Sequence, residues 1–87
     1  MTLRVERSAR QGFTVFQLSG RIEAQHIAGL KELFELGLDR RRVILDLIDL
    51  KLVDRDGVRF LVRCELDGMK LKHCPRYIRE WMQREKH

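Results

Sequence analysis

The chain is poor in most of the features that announce a chemistry or a compartment. Its 87 residues include two cysteines, one proline and few aromatics, 7% in all. Cys64 and Cys74 are too few for a disulfide framework, and each sits where a small buried hydrophobe would serve, so both read as reduced thiols. The longest apolar stretch, VILDLIDL, is broken by Asp46 and Asp49, and the opening MTLRVERSAR lacks the apolar segment of an export signal. No membrane span is read, and the cytoplasm is the expected location. There is no P-loop and no dinucleotide fingerprint; the SGR at residues 19–21 is one glycine turn rather than a phosphate cradle. Internal repeats, low-complexity segments and linkers are absent as well. A length of 87 residues implies one domain, residues 1–87, with a narrow stability margin. At 44% hydrophobic and 36% charged, the composition is that of a folded chain rather than a disordered one.

The formal charge of +5 and a pI near 9.8 raise the question of nucleic acid. Basic residues are spread through every segment, however, and only Arg40–Arg42 forms a cluster, in an expected loop without accompanying base-stacking aromatics. A solvated basic surface is the favoured reading, with nucleic-acid or anion binding kept as the alternative. Cys64, His73 and Cys74 fit no common zinc spacing, so no metal site is assigned. Cys74 and His73 are adjacent on an expected strand and would point to opposite faces, which argues against a nucleophile–base pair. No catalytic residue, cofactor or enzymatic activity is therefore expected. His26, near the start of a helix, is read as solvent-exposed.

What is present is a clear alternation of strand and helix patterns. Residues 3–7 (LRVER) and 13–19 (FTVFQLS) alternate apolar and polar about a turn at Gly12, the pattern of an antiparallel hairpin. From residue 24 to 38, Ile27, Leu30, Leu33, Phe34 and Leu38 recur at helical spacing. Residues 43–47 (VILDL) are nearly continuous in apolar character, as a central strand covered by helices would be. A second helix runs over residues 56–67, with Gly57, Leu61 and Cys64 in one row and Gly68 at its end. MKLKHC supplies a fourth strand, and Pro75 opens a third helix with Tyr77, Ile78, Trp81 and Met82 in a stripe. The order predicts an α/β fold: a mixed four-stranded sheet, an antiparallel amino-terminal hairpin with later strands parallel, and three helices.

Between the third strand and the second helix stands LVDRDGVRFL, at residues 52–61. Asp54 is placed to cap the helix, and Asp56 adds negative charge at the positive end of the dipole. Arg55 costs that helix a few tenths of a kcal/mol on the same argument, so something other than helix stability is sought for it. On the plainest reading the two aspartates are cap residues and Arg55 is merely exposed.

FTVFQLSGRIEA, RVILDLIDLKLVDRDGVRFLV and GMKLKHCPRYIREWM together resemble the STAS domain, found in bacterial anti-sigma factor antagonists and in the cytoplasmic part of sulphate transporters. The resemblance spans nearly the whole chain. It implies a protein-interaction module in signalling and transcription regulation, with a partner such as an anti-sigma kinase or a phosphatase regulator. In the phosphorylated antagonists the corresponding loop reads Asp-Ser-Ser-Gly, and the first serine receives the phosphate. Here Asp54 and Gly57 match, whereas Arg55 stands in the phosphoacceptor place and Asp56 in that of the second serine. The implied partner surface is Asp54, Arg55, Asp56 and Gly57 with Arg59 on the adjoining helix. Domains resembling this one commonly continue with a further strand and helix. A short variant is therefore expected to close its open sheet edge, or the apolar surface at Trp81, by forming a symmetric homodimer.

The departure carries its own test. Incubation with an anti-sigma kinase and ATP should leave the mass of residues 52–61 unchanged, because that segment contains no Ser, Thr or Tyr. A phosphorylated 52–61 peptide in tandem mass spectrometry would contradict the reading.

Overall fold

A computed structural model describes residues 3–37 and 39–86. Strand β1 (Leu3–Arg10) pairs antiparallel with β2 (Phe13–Ile22) through a turn in which Gln11 and Gly12 both take positive φ, 51° and 84°. After β2 come a 3₁₀ turn at Ala24–His26, helix α1 (Ile27–Phe34) and a second 3₁₀ turn at Arg40–Arg42. Strand β3 (Val43–Asp46) then runs parallel to β2, in the register Val15 to Ile44 and Phe16 to Leu45. Strand β4 is Leu50–Val53, helix α2 Arg55–Leu66, strand β5 Lys70–Lys72 and helix α3 Arg76–Glu85. The sheet order is β1-β2-β3-β5, with β5 parallel to β3.

The mixed sheet with its antiparallel hairpin, parallel later strands and three helices is the architecture expected from the sequence. Its strand count is corrected by β4, which pairs parallel with the last residues of β2, from Gly20 to Ile22. β3 and β4 thus follow one another along the same side of β2, interrupted by a turn at Ile48 and Asp49. The Asp46 carboxylate accepts the Ile48 N–H at 3.1 Å and fixes that turn. Only two of the four β4 residues, Leu50 and Val53, are buried, too short a signal to separate from a loop.

The core lies on one side of the sheet. Phe16, Leu18, Val43, Leu45 and Leu47 are fully buried with Leu30, Phe34, Val58, Leu61, Ile78 and Met82 of the helices. Phe34 is its aromatic centre, with ring centroids 4.9 Å from Phe16 and 5.9 Å from Phe60. The expectation that β3 is covered on both faces fails. Ile44 and Asp46 are only half-buried, on a concave face lined entirely by strand and hairpin residues such as Phe13, Val15 and Lys70. β3 is apolar enough for two covered faces and receives one.

Helix ends also differ in detail. α1 stops at Phe34, followed by Gly37 at φ 68°; residue 38, expected in the helix, lies outside the described residues. α2 closes on Gly68 at φ 102°, where the Met69 N–H reaches the Cys64 carbonyl and the Gly68 N–H the Glu65 carbonyl. Pro75 caps α3 rather than entering it, and Tyr77 is exposed, donating its hydroxyl to the Lys51 carbonyl. Trp81 is partly buried and packs against the core. Among the described residues no helix is long and apolar enough to cross a membrane.

Phe34→Ala should cost about 3–5 kcal/mol, a large part of the ~5–15 kcal/mol that holds a domain together. Urea unfolding followed by circular dichroism reads this; an unchanged midpoint would remove Phe34 from the centre of the core.

Candidate functional site at the amino terminus of α2

β2 and β4 end side by side, and the 3₁₀ turn and α2 both start from that end of the sheet. Asp54 joins them. Its Oδ1 accepts the Gly57 N–H at 2.8 Å, capping α2, and its Oδ2 accepts the Ala24 N–H at 2.8 Å, holding the chain that leaves β2. Its own N–H donates to the Ile22 carbonyl at 3.1 Å. The expected cap is therefore present, and it also closes a contact thirty residues back in the chain. Gly57 is buried because α2 starts hard against β2. A Cβ there would stand 2.9 Å from the Ile22 carbonyl oxygen and 3.2 Å from its Cγ2. Only glycine fits without displacing backbone.

On this frame Arg55, Asp56 and Arg59 are exposed. Arg55 does not extend freely into solvent: its Nε lies 3.5 Å from Glu85 of α3, and Arg59 donates to the same carboxylate at 3.1 Å. The Trp81 indole N–H reaches it at 3.4 Å. The Arg59 hydrogen bond, with Arg55 adding its charge, lowers the Glu85 pKa below its ordinary value near 4.5, so the residue is a carboxylate at neutral pH. Glu85 is the site residue that sequence reasoning missed. Its only local signal is the i, i+4 spacing from Trp81, which reveals nothing about α2.

Beside the loop, α1 and α2 leave a groove with Ile27 and Phe60 along its floor. Lys31, Arg59 and Arg63 stand on its rim with Asp56 as the one acid. The remaining constellations take structural places. Arg40 pairs with Asp67 at 2.5 Å and with Glu35 at 3.5 Å, while the Arg42 guanidinium lies by the Gly12 turn, so the three arginines diverge. They also occupy a 3₁₀ turn, capped by Asp39, rather than an open loop. Cys64 is buried, and burial pushes its thiol up to about 12. Cys74 is half-buried with its pKa raised by the same desolvation, and His73 pairs with Asp46 at 3.1 Å. His26 was expected in solvent; it is half-buried, and its Nδ1 accepts the Glu23 N–H at 3.0 Å. Among the described residues no group of three or more His, Cys, Asp or Glu is placed to hold a metal ion.

Neither a family model nor a curated protein matches the chain. Solved structures do. An anti-sigma-factor antagonist STAS domain from Rhodobacter sphaeroides superposes with a TM-score of 0.63 at 12% identity, covering 83% of this chain and 87% of that one. An uncharacterized protein with a SpoIIAA-like fold from Shewanella loihica gives 0.59 at 13%, covering 98% of this chain and 77% of that one. This chain has a STAS-domain fold. The structure named Mglu adds a third match, with a TM-score of 0.58 and 22% identity over 82% of this chain but 19% of that one, so the same fold also sits inside a longer chain.

The STAS frame at the loop depends on two residues. Asp54→Ala frees two N–H groups and should cost about 2 kcal/mol, the upper end for a lost cap. Gly57→Ala should cost about 1–3 kcal/mol through the forced contact with Ile22. Urea midpoints check both, and wild-type midpoints would mean that the loop is held in some other way.

Proposed function

We propose that the chain, as one domain over residues 1–87, is a non-enzymatic cytoplasmic regulator of the anti-sigma-factor-antagonist type. It presents Asp54, Arg55, Asp56, Gly57 and Arg59 to a protein partner of the anti-sigma kinase or phosphatase-regulator class. The observation that carries this reading is the division of labour in the loop. Asp54 and Gly57 are committed to the backbone, while Arg55 and Asp56 stand exposed in the positions between them. Arg59 and the groove of Ile27 and Phe60 adjoin them. The rim of Lys31, Arg59 and Arg63 against the single Asp56 suits an acidic partner surface carrying an apolar side chain for the floor.

Regulation by a serine phosphate in the loop is not open to this domain, since no hydroxyl is present there. Asp56 supplies about one negative charge where a phosphate would supply roughly two. Its surroundings differ further, because Arg55 stands beside it and is itself drawn to Glu85. The reading is thus of a domain whose interaction surface is fixed rather than toggled at this position.

Titration calorimetry against purified anti-sigma kinases tests the proposal. Arg55→Ala should leave the unfolding midpoint essentially unchanged, as most exposed substitutions do, while weakening partner binding by about tenfold or more. Unchanged affinity would remove Arg55 from the surface. Strong binding to nonspecific DNA that falls steeply with salt would favour the anion-binding alternative instead.

A further inference from the structure

Among the described residues β1 pairs only with β2, so one side of an eight-residue strand presents its N–H and C=O groups to solvent. The side chains of this edge have a definite disposition. Arg7 sits opposite the fully buried Phe16, with its guanidinium 5.7 Å from the ring centroid. The odd residues Leu3, Val5, Arg7 and Ala9 therefore face the helical side, and Arg4, Glu6, Ser8 and Arg10 face the open side. Leu3 and Val5 are half-buried and form one wall of a groove whose other wall is Gly29, Leu30 and Leu33 of α1.

We infer that two copies of this chain associate through β1, antiparallel about a two-fold axis at Val5, so that Arg4 of each copy faces Glu6 of the other. A two-fold perpendicular to the sheet keeps the helices of both copies on the same side, which requires odd residues to oppose odd and even to oppose even. The axis must then pass through a residue. With the axis at Arg4, Glu6 or Arg7, that charged residue faces its own copy, and like charges directly opposite are destabilising. With the axis at Ser8, Glu6 meets Arg10, but Val5 falls opposite the turn at Gln11 and the apolar end of the strand stays outside the pairing.

The axis at Val5 satisfies every requirement. Val5 faces Val5 and Leu3 faces Arg7 on the helical side, while two Arg4–Glu6 pairs form on the open side. Within one copy Arg4 and Glu6 lie 3.7 Å apart with side chains 69% and 57% exposed, so both are free to be shared across the axis. The apolar grooves at Leu3, Val5 and Leu33 then meet near the axis, where each copy covers the other. Charges on an edge strand ordinarily deter pairing. Here their order Arg, Glu, Arg along β1 excludes the other central registers and makes a second copy the fitting occupant.

Sedimentation equilibrium from about 10 μM to about 1 mM, a range that detects weak dimers, tests the inference. The wild type should show a monomer–dimer equilibrium. Arg4→Glu alone and Glu6→Arg alone should each raise the dissociation constant by about tenfold or more, with circular dichroism confirming that the fold is kept. An equimolar mixture of the two variants should dimerise again, because each position then faces the opposite sign across the axis. A wild type that stays monomeric throughout would overturn the proposal. So would a dimer indifferent to both substitutions, or a mixture that stays monomeric. Arg55→Ala, at the start of α2 and not on β1, should leave the dimer unaltered, which separates this interface from the partner surface proposed above.

Discussion

The fold turns on one carboxylate. Asp54 accepts the Gly57 N–H with one oxygen and the Ala24 N–H with the other, so the same side chain starts α2 and fixes the chain leaving β2. Both donors belong to helix-like starts whose first N–H groups have no partner within their own turn. A carboxylate can satisfy two such donors in different directions and adds negative charge where the α2 dipole is positive. Its placement is possible only because Gly57 lets α2 approach to within a Cβ radius of the Ile22 carbonyl. The two residues act together: without the glycine the helix start moves away from the carboxylate, and without the carboxylate the part-buried Gly57 N–H and the more exposed Ala24 N–H both lose their partner.

That frame accounts for which loop residues are free to differ. Arg55 and Asp56 stand exposed between the two fixed positions, so their identity costs the fold little. The charge of Arg55 is shared with α3. Glu85 draws in Arg55 and Arg59 and also accepts from Trp81, linking the loop to the carboxy-terminal helix. α3 is itself held on α2 by Arg79, which reaches both Glu65 oxygens at 2.8 and 2.9 Å. Glu65 is lowered in pKa by Arg79 and Lys86 despite the opposing effect of its burial. The loop thus rests on a helix pair tied by ion pairs over an apolar stripe, and α1 and α2 together carry the basic rim of the groove beside it.

The sheet has a less symmetric role. One face carries the whole core, and the other is open, with Lys70 lying 5.3 Å over the Phe13 ring and Ile44 half-buried between strands. The cation over the ring and the flanking charges keep this half-apolar face in contact with water. The edges are treated differently from one another. β5 is three residues long, with two lysines, and is followed by His73 at φ 56°, a short charged edge that ends abruptly. β1 is long and carries both signs of charge.

Helix and strand identity were legible in the sequence because each amphipathic element repeats its apolar residues often enough to define a face. Leu30 and Phe34, Ile78 and Met82, and Phe16 and Leu18 are all buried as their spacing implies. The cap at Asp54 and the helix end at Gly68 were legible too, since both follow from local backbone chemistry. The STAS resemblance rested on the order of these signals, and the fold agrees with it. What the sequence could not carry is whatever depends on elements distant along the chain. β4 is too short to show a period, and the open face of β3 follows from where the helices pack rather than from its own apolar run. The Ala24 N–H on Asp54 joins positions thirty residues apart, and Glu85 meets Arg55 and Arg59 only because α3 folds back over α2. Local pattern decided which residues are inside and where helices begin; tertiary packing alone decided which charges meet, because Coulombic and hydrogen-bonded partners are chosen by proximity in space, for which a linear pattern has no signal.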